Sequence, residues 1–159
     1  MARLEEPIAP QEVRTGFQMT GSPVIAVTII DCVPESDRFG EVRQFVVERA
    51  QAAREAGVEE VWVDPGIGFG KTVAHNLALL RHLDSLVAAG FPVLVGTSRK
   101  SFIGRLTGGP GSPNPADDRL EGSLATAAWA ITQGAAMVRV HDVRPTVELA
   151  RLVAAGEGT

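Results

Sequence analysis

One cysteine in 159 residues, Cys32, leaves no partner for an intramolecular disulfide and no second thiol for a cysteine-based metal site. Redox-couple and zinc-finger readings fall away with it. Positive charge is not in excess either: 15 Lys and Arg stand against 19 Asp and Glu, a formal net charge of −4. No global positive field is available to hold a phosphate backbone, so nucleic acid is not expected as a partner. Long apolar runs are missing. The longest, Val24 to Ile30 with Thr28 allowed, falls far short of the roughly 20 residues that span a bilayer, and no membrane partner is expected. Met1-Ala2-Arg3-Leu4-Glu5-Glu6 lacks the basic start and apolar run of a signal peptide, which points to a soluble, cytoplasmic protein. What is present, 45% hydrophobic and 21% charged residues, suffices for one globular domain with a core and excludes a disordered tail.

Two periodicities alternate along the chain. Pro23 to Ile30 is apolar and β-branched between Gly21-Ser22 and Pro34, which predicts a buried strand. Val42, Phe45, Val46, Ala50 and Ala53 then recur at helical spacing, with Gly57 where a C-terminal cap belongs. The unit returns as the strand Val61-Trp62-Val63-Asp64 and a helical stripe through Leu77, Leu80, Leu83, Leu86 and Val87 that stops at Gly90. It returns again as Pro92 to Gly96 and, after a loop, a helix through Leu120, Leu124, Ala127, Ala128 and Ile131 ending at Gly134. Last come Ala136 to Val140 and a helix with Pro145 in its first turn and Val147, Ala150 and Val153 on one face.

Four such strand–helix units predict an α/β fold with a parallel sheet, since parallel neighbours need the crossover that a helix supplies. An open sheet and a closed barrel both satisfy this pattern. A complete (β/α)₈ barrel takes about 250 residues, so a barrel reading makes this chain a partial one. Residues 1–20 show no clear period and are expected to be irregular, and residues 21–159 form the domain. The polar stretch Thr107 to Asp118 is expected to be a mobile loop.

Ligands of parallel α/β sheets bind where the strands end. Those ends carry Asp31-Cys32, the run Asp64 to Thr72, the run Gly96 to Ser101, and Arg139 to Asp142. The second has three glycines before Lys71-Thr72, yet a P-loop would need glycine at position 65, which is Pro65, and a dinucleotide fingerprint would need it at 71, which is Lys71. A flexible loop with an acid at its base remains. Asp64 there suits either a bidentate acceptor for two heterocycle N–H groups or a plain helix cap. Lys100 and Arg99 suit a cation near a ligand carbonyl or phosphate, or a solvated pair, and Ser98 offers a donor and acceptor beside them. Arg139 and His141, two apart on the last strand, share a face and could converge on one anion. His75 and His82 share a helix face but have no third ligand, so they are read as structural and no metal ligand is identified. Cys32 would be reactive only with a depressed pKa.

Four segments taken together, Asp64-Pro-Gly-Ile-Gly-Phe-Gly-Lys71-Thr72 with His75-Asn76, Val95-Gly-Thr-Ser-Arg-Lys100-Ser-Phe-Ile-Gly104, Arg119-Leu-Glu-Gly-Ser-Leu-Ala-Thr126 and Val138-Arg-Val-His-Asp142-Val143, resemble dihydropteroate synthase in order and spacing. The resemblance runs from Phe39 to about Ala155. It implies a (β/α)₈ (TIM) barrel that condenses 4-aminobenzoate with 6-hydroxymethyl-7,8-dihydropterin pyrophosphate to 7,8-dihydropteroate, with magnesium. It implies that Asp64 binds the pterin's pyrimidine nitrogens and that Lys100 reaches its ring carbonyl and N5. Arg139 would lie against the pterin face and, with His141, hold the leaving pyrophosphate. Gly68 and Phe69 would border the aminobenzoate site, and Ser98 with Lys100 would lie near its carboxylate, where sulfonamides compete.

The chain also departs from that pattern. It matches strands five to eight, so the first-strand loop with the asparagine that serves magnesium and pyrophosphate, the pterin contacts of strands three and four, and the mobile second loop have no counterpart. Asp31-Cys32-Val33-Pro34-Glu35-Ser36 is faintly similar to the family's first strand, as an internal deletion would leave it. Half a barrel would expose strand edges and apolar faces, which predicts a homodimer or pairing with a separate N-terminal half. A catalytically incomplete pterin-binding or interaction module, and a pterin-binding methyltransferase domain, are the alternatives.

Overall fold

The computed structural model describes residues 17–18, 23–28 and 38–157, with side chains from residue 39 to residue 156. Asp31 and Cys32, the segment on to Ser36, and residues 1–20 apart from Phe17 and Gln18 lie outside the described residues.

Strands β2 (Pro23–Thr28), β3 (Glu60–Asp64), β4 (Leu94–Val95) and β5 (Met137–Val138) run parallel. The pair β2 and β3 is in register from Val24 opposite Glu60 to Thr28 opposite Asp64. A single parallel bridge between Val63 and Val93 carries the sheet on to β4, whose Leu94 and Val95 face Met137 and Val138 of β5. One edge differs from the all-parallel expectation: β1 (Phe17–Gln18) lies antiparallel on β2, within the stretch that shows no period. The last strand stops at Val138, two residues short of the expected Val140.

Helix α1 (Arg38–Glu55) follows β2, and Val42, Val46 and Ala50, each four residues apart, are fully buried on its inner face. Helices α2 (Val73–Arg81) and α3 (Leu83–Val87) connect β3 to β4, where one helix is expected. The break has a geometric cause. Leucines three residues apart fall about 60° short of a full helical turn at each step, so one straight helix cannot bury the whole stripe. Leu77 is accordingly exposed, and a bend at His82 re-aims Leu83 and Leu86 into the core beside Leu79 and Leu80. His82 stacks its ring on Phe39, 5.1 Å between centroids.

A seven-residue helix, α4 (Ser101–Thr107), replaces the first part of the expected loop after β4; α5 (Leu120–Thr132) and α6 (Val143–Glu157) complete the order. The polar stretch after α4 is held at one point: the Asn114 carbonyl accepts from Arg119 Nε at 2.8 Å and Nη2 at 2.6 Å, while the Asn114 N–H donates to Gly104 at 3.0 Å. Trp129 donates its indole N–H to the Leu80 carbonyl at 2.8 Å, which joins α5 to α2.

One sheet face is closed. Val61, Val63, Val93 and Val95 are buried there against Ile67, Leu79, Leu83, Phe102 and Ile103. The alternating positions Glu60, Trp62 and Asp64, with Leu94 and Met137, are only partly buried on the opposite face. No helix among the described residues is long and apolar enough to cross a membrane.

Candidate active site

The ends of β3, β4 and β5 open on the same side, and the loop after each brings one charged group toward the others. Asp64 ends β3. Its Oδ1 accepts the Gly66 N–H at 2.8 Å, which closes a tight turn; the cap of α2 is Thr72, eight residues on, so the helix-cap reading of Asp64 does not hold. Thr72 and His75 form a reciprocal capping box, so His75 serves the helix end. Burial pushes the Asp64 carboxyl up from the ordinary range, against the Gly66 N–H and the charges of Lys100, Arg139 and Lys71.

Lys100 crosses from the β4 loop over the glycine turn. A Cβ on Gly68 would stand 2.5 Å from Lys100 Cδ, and Gly68 has φ +85, so only glycine leaves the lysine its path. The Lys100 ammonium ends 3.6 Å from the centroid of the Phe69 ring. Burial lowers its pKa, Arg139 lowers it further, and Asp64 opposes both. Arg139 passes along bare Gly96, where its Nε and Nη2 would lie 3.4 Å from an added Cβ.

Arg139 and His141 do not share a strand face as expected. With β5 ending at Val138, both belong to the loop beyond it, where strand alternation no longer orients them. Arg139 turns toward Asp64 and Lys100, whereas the His141 N–H and Nδ1 meet buried Ser98 Oγ at 3.1 Å and 3.0 Å. Ser98 is therefore committed to His141. Arg99 is not half of a solvated pair with Lys100: it bridges to Asp142 with two bonds, 3.0 Å and 2.6 Å.

Sequence spacing missed four supporting residues. Asn76, buried in α2, accepts the Gly68 N–H at 2.7 Å and donates to the Thr72 and Lys71 carbonyls at 2.8 Å and 3.4 Å. Its removal is expected to leave the Gly68 N–H unsatisfied and to cost about 1–3 kcal/mol, read as a lower urea midpoint for Asn76→Ala at unchanged slope. Arg119, Ser123 and Asp142 grip Arg99, with bonds that span 20, 24 and 43 residues. Only their place inside the four motif segments could have flagged them.

The family profile described as "Pterin binding enzyme" matches residues 20–141. The chain belongs to this pterin-binding enzyme family. Within the family it is 42% identical over 142 residues to dihydropteroate synthase of Escherichia coli strain K12, an alignment covering 87% of this chain and 47% of that protein. Against the Mycobacterium leprae dihydropteroate synthase the figures are 44% over 122 residues, 75% and 43%. Among solved structures, dihydropteroate synthase from Xanthomonas albilineans in complex with 7,8-dihydropteroate superposes with a TM-score of 0.80 at 38% identity, over 86% of this chain and 52% of that one. The Thermus thermophilus enzyme in complex with 6HMPPP gives a TM-score of 0.77 at 40% identity, over 83% and 55%. The chain thus spans about half the length of these pterin-binding relatives.

Magnesium, the cofactor that the sequence resemblance implies, finds no all-protein cage among the described residues. They contain no group of three or more His, Cys, Asp or Glu side chains able to hold a metal ion. Asp64, the carboxylate in the strand-end cluster, is already surrounded by Lys100, Arg139 and Lys71, whose charges repel a further cation.

Proposed function

We propose that this chain carries the pterin and pyrophosphate side of a dihydropteroate synthase site, for the condensation of 4-aminobenzoate with 6-hydroxymethyl-7,8-dihydropterin pyrophosphate. The observation that carries the reading is the convergence of an acid, a lysine and an arginine from three successive strand ends, Asp64, Lys100 and Arg139, in a pterin-binding chain. A pterin presents two adjacent N–H donors on its pyrimidine edge, which suit one carboxylate, and a ring carbonyl, which suits one ammonium. Arg139 and His141, at the outer rim, meet the diphosphate. In the reaction the arylamine nitrogen bonds to the methylene carbon as the carbon–oxygen bond breaks, the electron pair leaves with pyrophosphate, and the nitrogen gives up one proton to water. Positive charge near that leaving group favours the bond-breaking step. Gly68 and Phe69 border the aminobenzoate side with Lys100, and Ser98 acts there by holding His141.

Residues 21–159 then form a partial barrel corresponding to strands five to eight of the whole fold. The partly buried sheet face bearing Trp62, Leu94 and Met137 supports this, since a closed barrel lines its interior with that face. A second copy, or a separate N-terminal half, would cover it. The same face favours the second reading, a module that binds pterin without turning over aminobenzoate, for a chain left alone.

The test is isothermal titration of the full chain with 6-hydroxymethyl-7,8-dihydropterin pyrophosphate. Saturable binding that weakens about tenfold in Arg139→Ala is expected; a folded sample that gives no heat would remove the proposal. Binding needs the Asp64 carboxylate and the Lys100 ammonium together. Because burial moves the first pKa up and the second down, affinity is expected to fall at a higher pH on the acid side, and a lower pH on the alkaline side, than ordinary aspartate and lysine would give.

A further inference from the structure

In the β4 loop, immediately before Lys100, lies a residue in an unusual backbone state. Arg99 has φ 59, the one positive value among the described non-glycine residues. Left-handed backbone is unfavourable for a residue with a Cβ and persists where neighbours impose it. Here three contacts do so. The Arg99 N–H donates to Ser123 Oγ at 2.9 Å, its carbonyl accepts from Arg119 Nη1 at 2.8 Å, and its guanidinium grips Asp142 through two bonds. Asp142 immediately precedes α6, and its carbonyl accepts the Thr146 hydroxyl at 2.7 Å, so the far end of the bridge is anchored in a helix.

The consequence is directional. A left-handed residue reverses the chain between its neighbours, which sends Ser98 back to His141 and Lys100 forward over Phe69. Yet the bridge itself is partly open to solvent, with Arg99 and Asp142 side chains 37% and 24% exposed, so it contributes little to stability.

We propose that Arg99 and Asp142 form a positioning pair: their two-bond bridge locks the β4 loop to the β5 loop and thereby sets where Lys100 and His141 stand for a diphosphate-bearing pterin. The proposal rests on the functional reading above for its ligand, but not for its geometry.

The experiment uses the full chain with two variants that remove the bridge by opposite ends. Arg99→Gly tolerates the left-handed backbone and deletes the guanidinium; Asp142→Ala deletes the carboxylate and leaves Arg99 in place. Arg144→Ala, which breaks the exposed Arg144–Glu148 pair on the same helix, is the control. Two readouts are taken. The ε-methylene protons of Lys100, one bond from the ammonium that sits over the Phe69 ring, are expected to give a ring-current-shifted signal in the ligand-free protein, and that signal is expected to move toward the ordinary lysine position in both variants but not in the control. The Kd for 6-hydroxymethyl-7,8-dihydropterin pyrophosphate is expected to rise about tenfold in both, with thermal midpoints within about 4 °C of the parent. An unchanged Lys100 signal in both variants would overturn the proposal, as would a fall in midpoint that accounts for the whole loss of binding. If the parent chain itself does not bind the probe, the functional reading fails, and the Lys100 signal alone decides the positioning role.

Discussion

Asp64→Asn is expected to remove pterin binding while leaving the chain at least as stable as before. The lost carboxylate would have accepted two N–H groups of the pyrimidine edge, each bond to a charged acceptor contributing about 1.5–3 kcal/mol. Asparagine keeps the shape but offers one oxygen and places an N–H₂ against a donor. The combined loss is roughly 3–5 kcal/mol, on the order of a thousandfold in Kd. Stability moves the other way for a different reason. Burial raises the folded-state pKa of Asp64 above its unfolded value, so its stabilising contribution is present below the unfolded pKa and is lost as pH rises through the folded one. At neutral pH the parent therefore folds around a carboxylate it would hold more easily protonated. A neutral amide, which can still accept the Gly66 N–H, avoids that cost. The thermal midpoint of Asp64→Asn is expected to equal or exceed the parent's at pH 7, with the gap closing as pH falls toward the unfolded value. A midpoint well below the parent's at pH 7 would show that the three surrounding cations outweigh the burial.

Gly104→Ala is expected to be severely destabilising for a single added methyl. Its Cβ would stand 2.4 Å from the Asn114 carbonyl oxygen and 2.5 Å from Arg119 Nε, distances that no side chain adopts without displacing its neighbours. The displaced atoms are the junction of the loop between α4 and α5: the Asn114 carbonyl receives two bonds from Arg119, and Gly104 receives the Asn114 and Gly108 N–H groups. Overpacking of about 1–3 kcal/mol plus two or so broken hydrogen bonds sums to roughly 3–5 kcal/mol. For a chain of this size that lowers the thermal midpoint by about 6–20 °C. Gly109→Ala, five residues on, meets nothing within 4 Å and is expected to leave the midpoint within about 2 °C. Equal midpoints for the two variants would mean that the loop junction carries no stability.

These two sites show where the sequence could and could not be read. Asp64 is legible because an acid directly after Val61-Trp62-Val63 ends a strand, and strand ends of parallel sheets are where ligands sit. Lys100 follows from the same rule after Val93-Leu94-Val95. Helix α1 is legible because its buried positions obey one period throughout. The bend at His82 is hidden because a three-residue repeat looks helical while drifting off any single face. Helix α4 escapes notice because it is seven residues long, with Gly104 in its middle and a polar loop behind it. The grip on Arg99 is invisible for a different reason: its partners lie up to 43 residues away, and only the fold brings Arg119, Ser123 and Asp142 to one backbone unit. The orientation of Arg139 and His141 does not follow from their spacing because alternation applies inside a strand, and β5 ends one residue before the first of them.

Trp62 and Trp129 occupy complementary places, one on the partly uncovered sheet face and one at the joint of α5 and α2. The sequence contains no other tryptophan and no tyrosine, so all indole emission comes from these two rings. A partner laid over the sheet face would dry Trp62 and shift its emission to shorter wavelength without touching Trp129. Unfolding would instead wet Trp62 and free the Trp129 indole, already half exposed, from Leu80, which shifts emission to longer wavelength. The chain thus carries its own optical gauge, in which assembly and unfolding pull the same spectrum in opposite directions.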